Sequence, residues 1–236
     1  MSLRLPSSRP GVFPVPIIEA EVEPEVLKDK IFAAIRNAIL RGELQPGQKL
    51  VELDLIKSLG VSRAPLRDSF WLLEKQGYVR MIPNRGTFVV KFSLQEISDV
   101  YATRSVLEAW AVALATQRVH PKDLREFRGL FRAMERTATE GDLLANFKVD
   151  LEFHQKIWQL SGNHKLEEVL NNICPSLFTY LLIRYQGNPS AMRAGLAGHL
   201  EILRLLESGK DFATVERLVR PSINSLAQAT IKLIQE

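Results

Sequence analysis

The chain has 236 residues, of which 46% are hydrophobic and 25% are charged, a composition ordinary for a globular protein with one or two buried cores. No apolar run approaches the ~18 residues that a transmembrane helix needs, and prolines interrupt the N-terminal stretch where a signal peptide would be apolar. The single Cys174 excludes an intramolecular disulfide, so we expect a cytoplasmic protein with no membrane partner.

The net charge of +4 is distributed unevenly along the chain. Residues 28–91 carry twelve Lys or Arg against six Asp or Glu, a local excess of +6, whereas residues 92–236 carry seventeen of each. A compact basic segment is typical of a protein that binds a polyanion such as DNA. A solvated, lysine-rich surface would have the same charge, and the count alone leaves both interpretations open.

The first part of the chain predicts an arm followed by a small DNA-binding fold. Residues 1–25 combine prolines at 6, 10, 14 and 16 with an acidic stretch, which predicts a flexible arm. From residue 26 to 92, the pattern predicts three short helices and a β-hairpin, an arrangement typical of a winged helix-turn-helix. Ser62 is placed to cap the third helix and Gly77 to end it, while P-N-R-G forms the hairpin turn.

The remainder, residues 93–236, is predicted to be all-helical. Apolar residues recur at helical spacing in six runs separated by short breakers, at 95–118, 122–139, 143–160, 165–185, 192–208 and 211–234. Short connections favour antiparallel neighbours, so we expect a bundle of about six helices. The predicted fold class is therefore mainly α, with an N-terminal winged helix-turn-helix and a C-terminal antiparallel helical domain.

The third predicted helix carries candidate residues for reading DNA. Arg63 and Arg67 are four residues apart and share a face, and arginine in the first turn of a recognition helix can bind a guanine edge. Ser62, at the helix N-terminus, can donate to a phosphate, and Arg85 and Gly86 stand at the tip of the predicted wing. Two exposed arginines on an amphipathic helix are the simpler alternative, but the wing and the local charge favour DNA binding.

Asp150 and His154 stand four residues apart in the string D-L-E-F-H, within the predicted helix 143–160. Residues at this spacing project from the same side of a helix. Both side chains can bind a divalent metal, and both can take part in catalysis. A chance alignment of two polar side chains is the third interpretation, and the spacing alone does not decide among them.

Three stretches of the basic segment resemble the GntR family of bacterial transcription regulators: I-R-N-A-I-L-R-G-E-L-Q-P-G-Q-K-L, S-L-G-V-S-R-A-P-L-R-D-S-F-W-L-L-E-K-Q-G-Y-V and N-R-G-T-F-V. The family has Thr or a similar small residue where Ala64 stands, so one hydroxyl contact to DNA is lost here. The resemblance implies a repressor or activator that binds a double-stranded, pseudo-palindromic operator as a homodimer. It adds Ala64 to the residues expected at the DNA.

The strings V-Y-A-T-R-S-V-L-E-A, D-L-E-F-H-Q-K-I-W-Q-L-S-G-N and G-H-L-E-I-L resemble the FadR-like branch of this family, whose FCD-type C-terminal domain is a helical effector-binding bundle. The resemblance implies that a small organic acid binds there, in contact with Arg104, Asp150, His154 and His199. The last three of these residues would also hold a divalent metal, namely zinc, nickel or manganese.

The metal site departs from the family pattern at its last ligand. The alignment places that histidine at Pro221, and no histidine follows His199 in the chain, so the site can offer three protein ligands. A metal-bound site and a metal-free pocket whose polar groups bind the effector directly both remain open. Pro221 should also kink or restart the last helix, because proline lacks a backbone N–H.

Arg104, four residues before Glu108, allows two interpretations. It could form a surface ion pair with that glutamate, or it could clamp the carboxylate of an effector with its bidentate fork. Taken together, these patterns predict a ligand-responsive DNA-binding regulator, which we expect to be a repressor and not an enzyme. The alternatives are a metal-dependent enzyme domain fused to a DNA-binding anchor, and an effector-free structural DNA-binding dimer.

Overall fold

The computed structural model describes residues 24–184 and 189–235, so nearly all of the arm predicted for residues 1–25 lies outside the described residues. The N-terminal domain contains α1 (Pro24–Leu40), β1 (Lys49–Leu50), α2 (Glu52–Leu59), α3 (Arg63–Lys75), β2 (Val79–Ile82) and β3 (Gly86–Val89). The C-terminal domain contains α4 (Leu94–Thr116), α5 (Pro121–Glu140), α6 (Leu143–Leu160), α7 (His164–Arg184), α8 (Pro189–Glu207) and α9 (Phe212–Gln235). The mainly α fold class with a winged helix-turn-helix is confirmed.

The core of the N-terminal domain forms where α3 packs on α1. Leu66, Phe70 and Leu73 recur at helical spacing on α3 and are fully buried, in one apolar cluster with Ile35 of α1. Ser62 takes the predicted N-cap position with an extended backbone, but its side chain makes no capping hydrogen bond. Its hydroxyl is therefore not committed to the end of the helix.

The wing is a three-stranded antiparallel sheet in the order β1-β3-β2. The predicted hairpin of β2 and β3 is present, and its turn has positive φ at Asn84 (61°) and Gly86 (105°), a backbone conformation that these two residue types tolerate. The short segment before α2 adds a third strand, because Lys49 and Leu50 pair with Phe88 and Thr87 of β3.

The C-terminal domain is the predicted bundle, and the six helices begin and end within three residues of their predicted bounds. Ser93 opens α4 with a capping box, since its Oγ accepts from the Glu96 amide while the Glu96 carboxylate accepts from the Ser93 amide. Helix α4 packs along α9 and also contacts α6, α7 and α8. None of the helices in the described part of the chain is long and apolar enough to cross a membrane.

Of the kink or restart predicted at Pro221, the restart is wrong, because α9 continues through this residue. Pro221 is exposed, so the hydrogen bond it cannot donate is lost on the solvent side of the helix. Val219 and Ile223, on either side of it, are buried in the bundle core. Tertiary packing therefore holds the helix across the proline.

Helix α7 connects the bundle to the N-terminal domain through side-chain and backbone contacts. Gly77, which follows α3, approaches α7 so closely that a Cβ in its place would lie 2.5 Å from the Ser176 backbone nitrogen. Thr179 Oγ1 donates to the carbonyl of Gln76 at 3.2 Å, and Ile183 packs against the apolar clusters of both domains. The two domains are therefore in direct contact through the last half of α7.

Candidate functional site

The residues expected at the DNA are exposed at the start of α3 and at the wing tip: Ser62, Arg63, Ala64, Arg67, Arg85 and Gly86. Both recognition-helix arginines face one carboxylate of α2, with Arg63 Nε 3.5 Å from Glu52 Oε2 and Arg67 Nε 4.0 Å from Glu52 Oε1. Exposed pairs of this kind contribute little to stability. An anionic partner can therefore replace Glu52 at small cost.

The exposed side of α3 also carries Trp71, which sequence analysis did not single out. Its side chain is 61% exposed, and Lys75 Nζ lies 5.4 Å from the centroid of its rings. Its indole presents apolar surface and an N–H donor to solvent on this side of α3. The signal was present in the sequence, because Trp71 falls outside the helical repeat of Leu66, Phe70 and Leu73 that forms the core.

A cavity of about 160 Å³ lies in the bundle, and its wall is formed by residues of α4 to α9. The structure brings all four predicted effector residues into its wall: Arg104 from α4, Asp150 and His154 from α6, and His199 from α8. These residues span about 95 positions of the chain, from 104 to 199. The helical packing therefore gathers them at one end of the cavity.

Three of these residues converge in a manner suited to a metal ion, since one ligand atom from each lies within 4.8 Å of the others. His154 Nε2 lies 3.2 Å from His199 Nε2 and 3.4 Å from Asp150 Oδ1, while His199 Nε2 lies 2.7 Å from the same oxygen. Two ligands of a tetrahedral zinc, each about 2.1 Å from the ion, are roughly 3.4 Å apart. Two of the three separations thus already match.

The orientation of His199 is also that of a metal ligand. Its Nδ1 lies 2.7 Å from the Gly195 carbonyl, which can only accept a hydrogen bond, so Nδ1 carries the proton and Nε2 faces the cluster. A backbone carbonyl that fixes the imidazole in this way is usual behind metal-binding histidines. The donor set and its orientation therefore fit a divalent metal.

No third histidine reaches the site from the described residues to act as a fourth ligand. Pro221, aligned with the last ligand of the family, is exposed, and α9 contributes Leu226, Ala229 and Thr230 to the cavity wall. The remaining histidines, His120 and His164, are exposed at the N-terminal ends of α5 and α7, outside the cavity wall. A metal held here would have three protein ligands and open positions for a further one.

Glu108 also belongs to this site, although the sequence suggested it only as the partner of Arg104 in a surface ion pair. The Arg104–Glu108 pair forms, with Nε 2.5 Å from Oε2, but the side chains are 3% and 0% exposed, so it is not a surface pair. Trp158 Nε1 donates to Glu108 Oε1 at 3.1 Å, and His154 Nδ1 touches the same oxygen outside hydrogen-bond geometry. The glutamate therefore supports both Arg104 and His154 from behind the cavity.

The charges in the site hold each other in place. Burial opposes ionisation of Glu108, but the charges of Arg104 and His154 outweigh it and hold the pKa of this carboxyl below its usual range. Burial likewise opposes ionisation of Asp150, and the neighbouring His199 and His154 lower its pKa. Burial alone would lower the pKa of His154, yet the Glu108 carboxylate raises it. Both carboxylates are thus ionised near neutral pH.

Cys174 lies in the same core, near the Arg104–Glu108 pair, but its thiol is not reactive. Burial raises the pKa of its thiol to about 12, so the thiol stays protonated at neutral pH. The chemistry of the cavity therefore rests with two carboxylates, one guanidinium and two imidazoles. The charges of these groups sum to zero or to a negative value unless further protons or a metal ion add positive charge. Without such an addition, the site does not attract an anion.

Two protein families match the chain. Residues 27–89 match the family described as "Bacterial regulatory proteins, gntR family", and residues 99–224 match the FCD domain. The chain belongs to the GntR family and carries an FCD domain. Its relatives bear the names of transcriptional regulators, and the protein is a transcription regulator rather than an enzyme.

Individual relatives agree with this assignment. The "Nta operon transcriptional regulator" of Aminobacter aminovorans is 29% identical over 169 residues, 71% of this chain and 77% of that protein. The "HTH-type transcriptional repressor RspR" of Escherichia coli (strain K12) is 22% identical over 223 residues, 93% and 96% of the two chains. The solved structure "E. coli McbR/YncC", 22% identical, superimposes with a TM-score of 0.66 over 89% of this GntR-family chain and 97% of that one, which shows the common fold.

Proposed function

We propose that this GntR-family regulator is a homodimeric repressor that binds its operator in the cytoplasm and releases or tightens it in response to a small organic acid. The observation that carries the proposal is the convergence of Arg104, Asp150, His154 and His199 at one end of a cavity. Burying charged groups beside empty space is costly, so a cavity lined in this way favours an anionic ligand. An effector-free bundle that served only for dimerisation would be expected to fill this space with apolar side chains.

A divalent metal, zinc, nickel or manganese, would be held by Asp150, His154 and His199 and would supply the positive charge that a carboxylate needs there. The donor separations support this, and so does the charge of the site, in which Glu108 already neutralises Arg104. Arg104 Nη2 lies 3.1 Å from His154 Nε2, on the side of the imidazole that faces the cluster. Arg104 is therefore placed to contact an effector carboxylate bound beside that nitrogen.

DNA recognition is assigned to the exposed start of α3 and to the wing. Arg63 and Arg67 would contact base edges in the major groove, and Ser62, whose hydroxyl is not used as a cap, would bind a phosphate. Ala64 has no hydroxyl to offer there, and Arg85 and Gly86 would follow the backbone of the adjacent groove.

Dimerisation and repression have separate support. The outer side of α4 exposes Val106 and Trp110, 39% and 43% accessible, which favours a contact between two bundles. A dimer would place two recognition helices on the two halves of a pseudo-palindromic site. Repression is supported by a relative along nearly the whole chain whose name is that of a transcriptional repressor.

The test begins with selection of the operator from random DNA by the full-length protein, followed by binding titrations at several salt concentrations. We expect Arg63→Ala and Arg67→Ala each to weaken specific binding by about 1–3 kcal/mol, or roughly 5- to 150-fold. Arg136→Ala, which removes an exposed arginine of α5 in the bundle, is the matched control and should bind like the wild type. If the α3 variants also bound like the wild type, the assigned recognition surface would be wrong.

A further inference from the structure

We infer that the effector is a compact monocarboxylic acid whose remainder is apolar, with roughly six to ten non-hydrogen atoms, rather than a dicarboxylic or sugar acid. This inference rests on the proposed function, because it names the class of acid that the same cavity would take. It follows from the charge, the lining and the size of the cavity, which are independent features of the structure.

The charged groups are confined to one end of the cavity. Arg104 is the one arginine or lysine among the described residues of the wall, and it lies beside the Asp150, His154 and His199 cluster that would hold the metal ion. Because Glu108 already neutralises Arg104, the metal ion would supply the charge that neutralises one carboxylate at this end. A second carboxylate, placed deeper in the cavity, would find no positive partner among the described lining residues.

The walls away from this end are apolar. They are built from side chains of five helices, among them Met134, Leu143, Phe147, Leu181, Leu196 and Leu226. Such a surface favours aliphatic or aromatic carbon and gives no hydrogen bond to a hydroxyl. The part of the effector that extends from the carboxylate is accordingly hydrocarbon in character.

The polar side chains of these walls already have protein partners. The Asn146 amide nitrogen lies 3.0 Å from both the Met134 carbonyl and the Thr137 hydroxyl, which takes up its two donors. The Tyr101 and Thr230 hydroxyls lie 3.2 Å from each other. These few polar groups cannot pair all the hydroxyls of a polyhydroxylated ligand, and an apolar pocket disfavours an added hydroxyl by up to about a hundredfold.

The volume limits the size of the ligand. The cavity measures about 160 Å³. An apolar protein cavity of about 150 Å³ holds a benzene molecule. A benzene ring or a branched chain of four or five carbons, joined to one carboxylate, therefore fills this space without moving the helices.

Isothermal titration calorimetry on the full-length protein loaded with Zn²⁺ tests the inference with four acids: benzoate, 3-methylbutanoate, succinate and gluconate. We expect the first two to bind with a dissociation constant at least tenfold lower than that of the last two. The Leu226→Gln variant adds an amide to the apolar wall and should narrow this ratio, whereas the volume-conserving Leu226→Met variant should preserve it.

The outcomes separate the inference from the function on which it rests. Succinate or gluconate binding as tightly as benzoate would overturn the apolar monocarboxylate while leaving an acid-sensing regulator. Failure of all four acids to bind or to change operator affinity would overturn the acid effector itself. If the ratio of the dissociation constants of the two groups of acids were the same in Leu226→Gln as in Leu226→Met, the acids would not occupy this cavity.

Discussion

Replacing Glu108 with glutamine should destabilise the bundle far more than the same replacement in an exposed ion pair. The change keeps the shape of the side chain and its carbonyl oxygen, so Trp158 Nε1 retains an acceptor. What is lost is the charge opposite Arg104, whose guanidinium is 3% exposed. An uncompensated buried charge of this kind costs about 3–5 kcal/mol.

The matched control is Glu140→Gln on α5. Arg136 and Glu140 have the same four-residue spacing as Arg104 and Glu108, but they are 69% and 58% exposed and their closest charged atoms are 4.0 Å apart. An exposed pair of this type contributes about 0.3–0.5 kcal/mol. The two variants therefore remove the same charge at the same helical spacing, and they differ in burial.

Urea unfolding followed by circular dichroism, at neutral pH and with a chelator to remove bound metal, measures both free energies of unfolding. A temperature scan under the same conditions measures the midpoints of thermal unfolding. For a domain of this size, we expect the midpoint of Glu108→Gln to fall by about 10 °C and that of Glu140→Gln by about 1 °C. A loss below about 1 kcal/mol for Glu108→Gln would refute the reasoning, because the buried Arg104 would then not depend on this carboxylate.

Two further substitutions have matched controls in the same chain. Gly77→Ala should destabilise the protein by about 1–3 kcal/mol more than Gly141→Ala. Both residues have φ near 75°, but only at Gly77 would the new Cβ collide with Ser176. Equal shifts of the two variants in thermal unfolding would contradict a close contact between the domains. His199→Ala should weaken the binding of Co²⁺, measured by visible absorption, at least tenfold. The control His164→Ala, at an exposed histidine, should leave Co²⁺ binding unchanged. Unchanged binding in His199→Ala would exclude this site as the metal site.

The bundle could be predicted closely from the sequence because apolar residues recur at helical spacing in runs that strong breakers separate. Gly141, for example, has φ of 74° and ends α5, a backbone conformation that favours glycine. Pro221 shows the limit of this reasoning. Local preference predicts an interruption there, but Val219 and Ile223 pack into the core on both sides and the helix continues.

The site could be predicted in its residue types but not in its arrangement. The resemblance to a known family led to Arg104, Asp150, His154 and His199, which the fold brings together. The spacing between Arg104 and Glu108 is the same for a surface pair as for a buried one, so it could not decide between them. A better signal was the run V-L-E-A-W-A-V-A-L-A, where a glutamate is surrounded by apolar residues on nearly every side of the helix.

Neighbouring residues of α7 face the cavity and the DNA-binding domain. The Arg104 guanidinium carbon lies 4.6 Å from the centre of the Phe178 ring, and the next residue, Thr179, donates to the carbonyl of Gln76 at the end of α3. A ligand that draws Arg104 toward its carboxylate would change this stacking, and Phe178 and Thr179 are consecutive residues of one helix in a closely packed core. The contact at Gln76 would shift with it, which gives the proposed effector a direct route to the recognition helix. Couplings of this kind typically change affinity by about 5- to 150-fold. The Thr179→Val variant removes the hydrogen bond to Gln76 but keeps the shape of the side chain. It should reduce the effect of benzoate on operator affinity without abolishing benzoate binding.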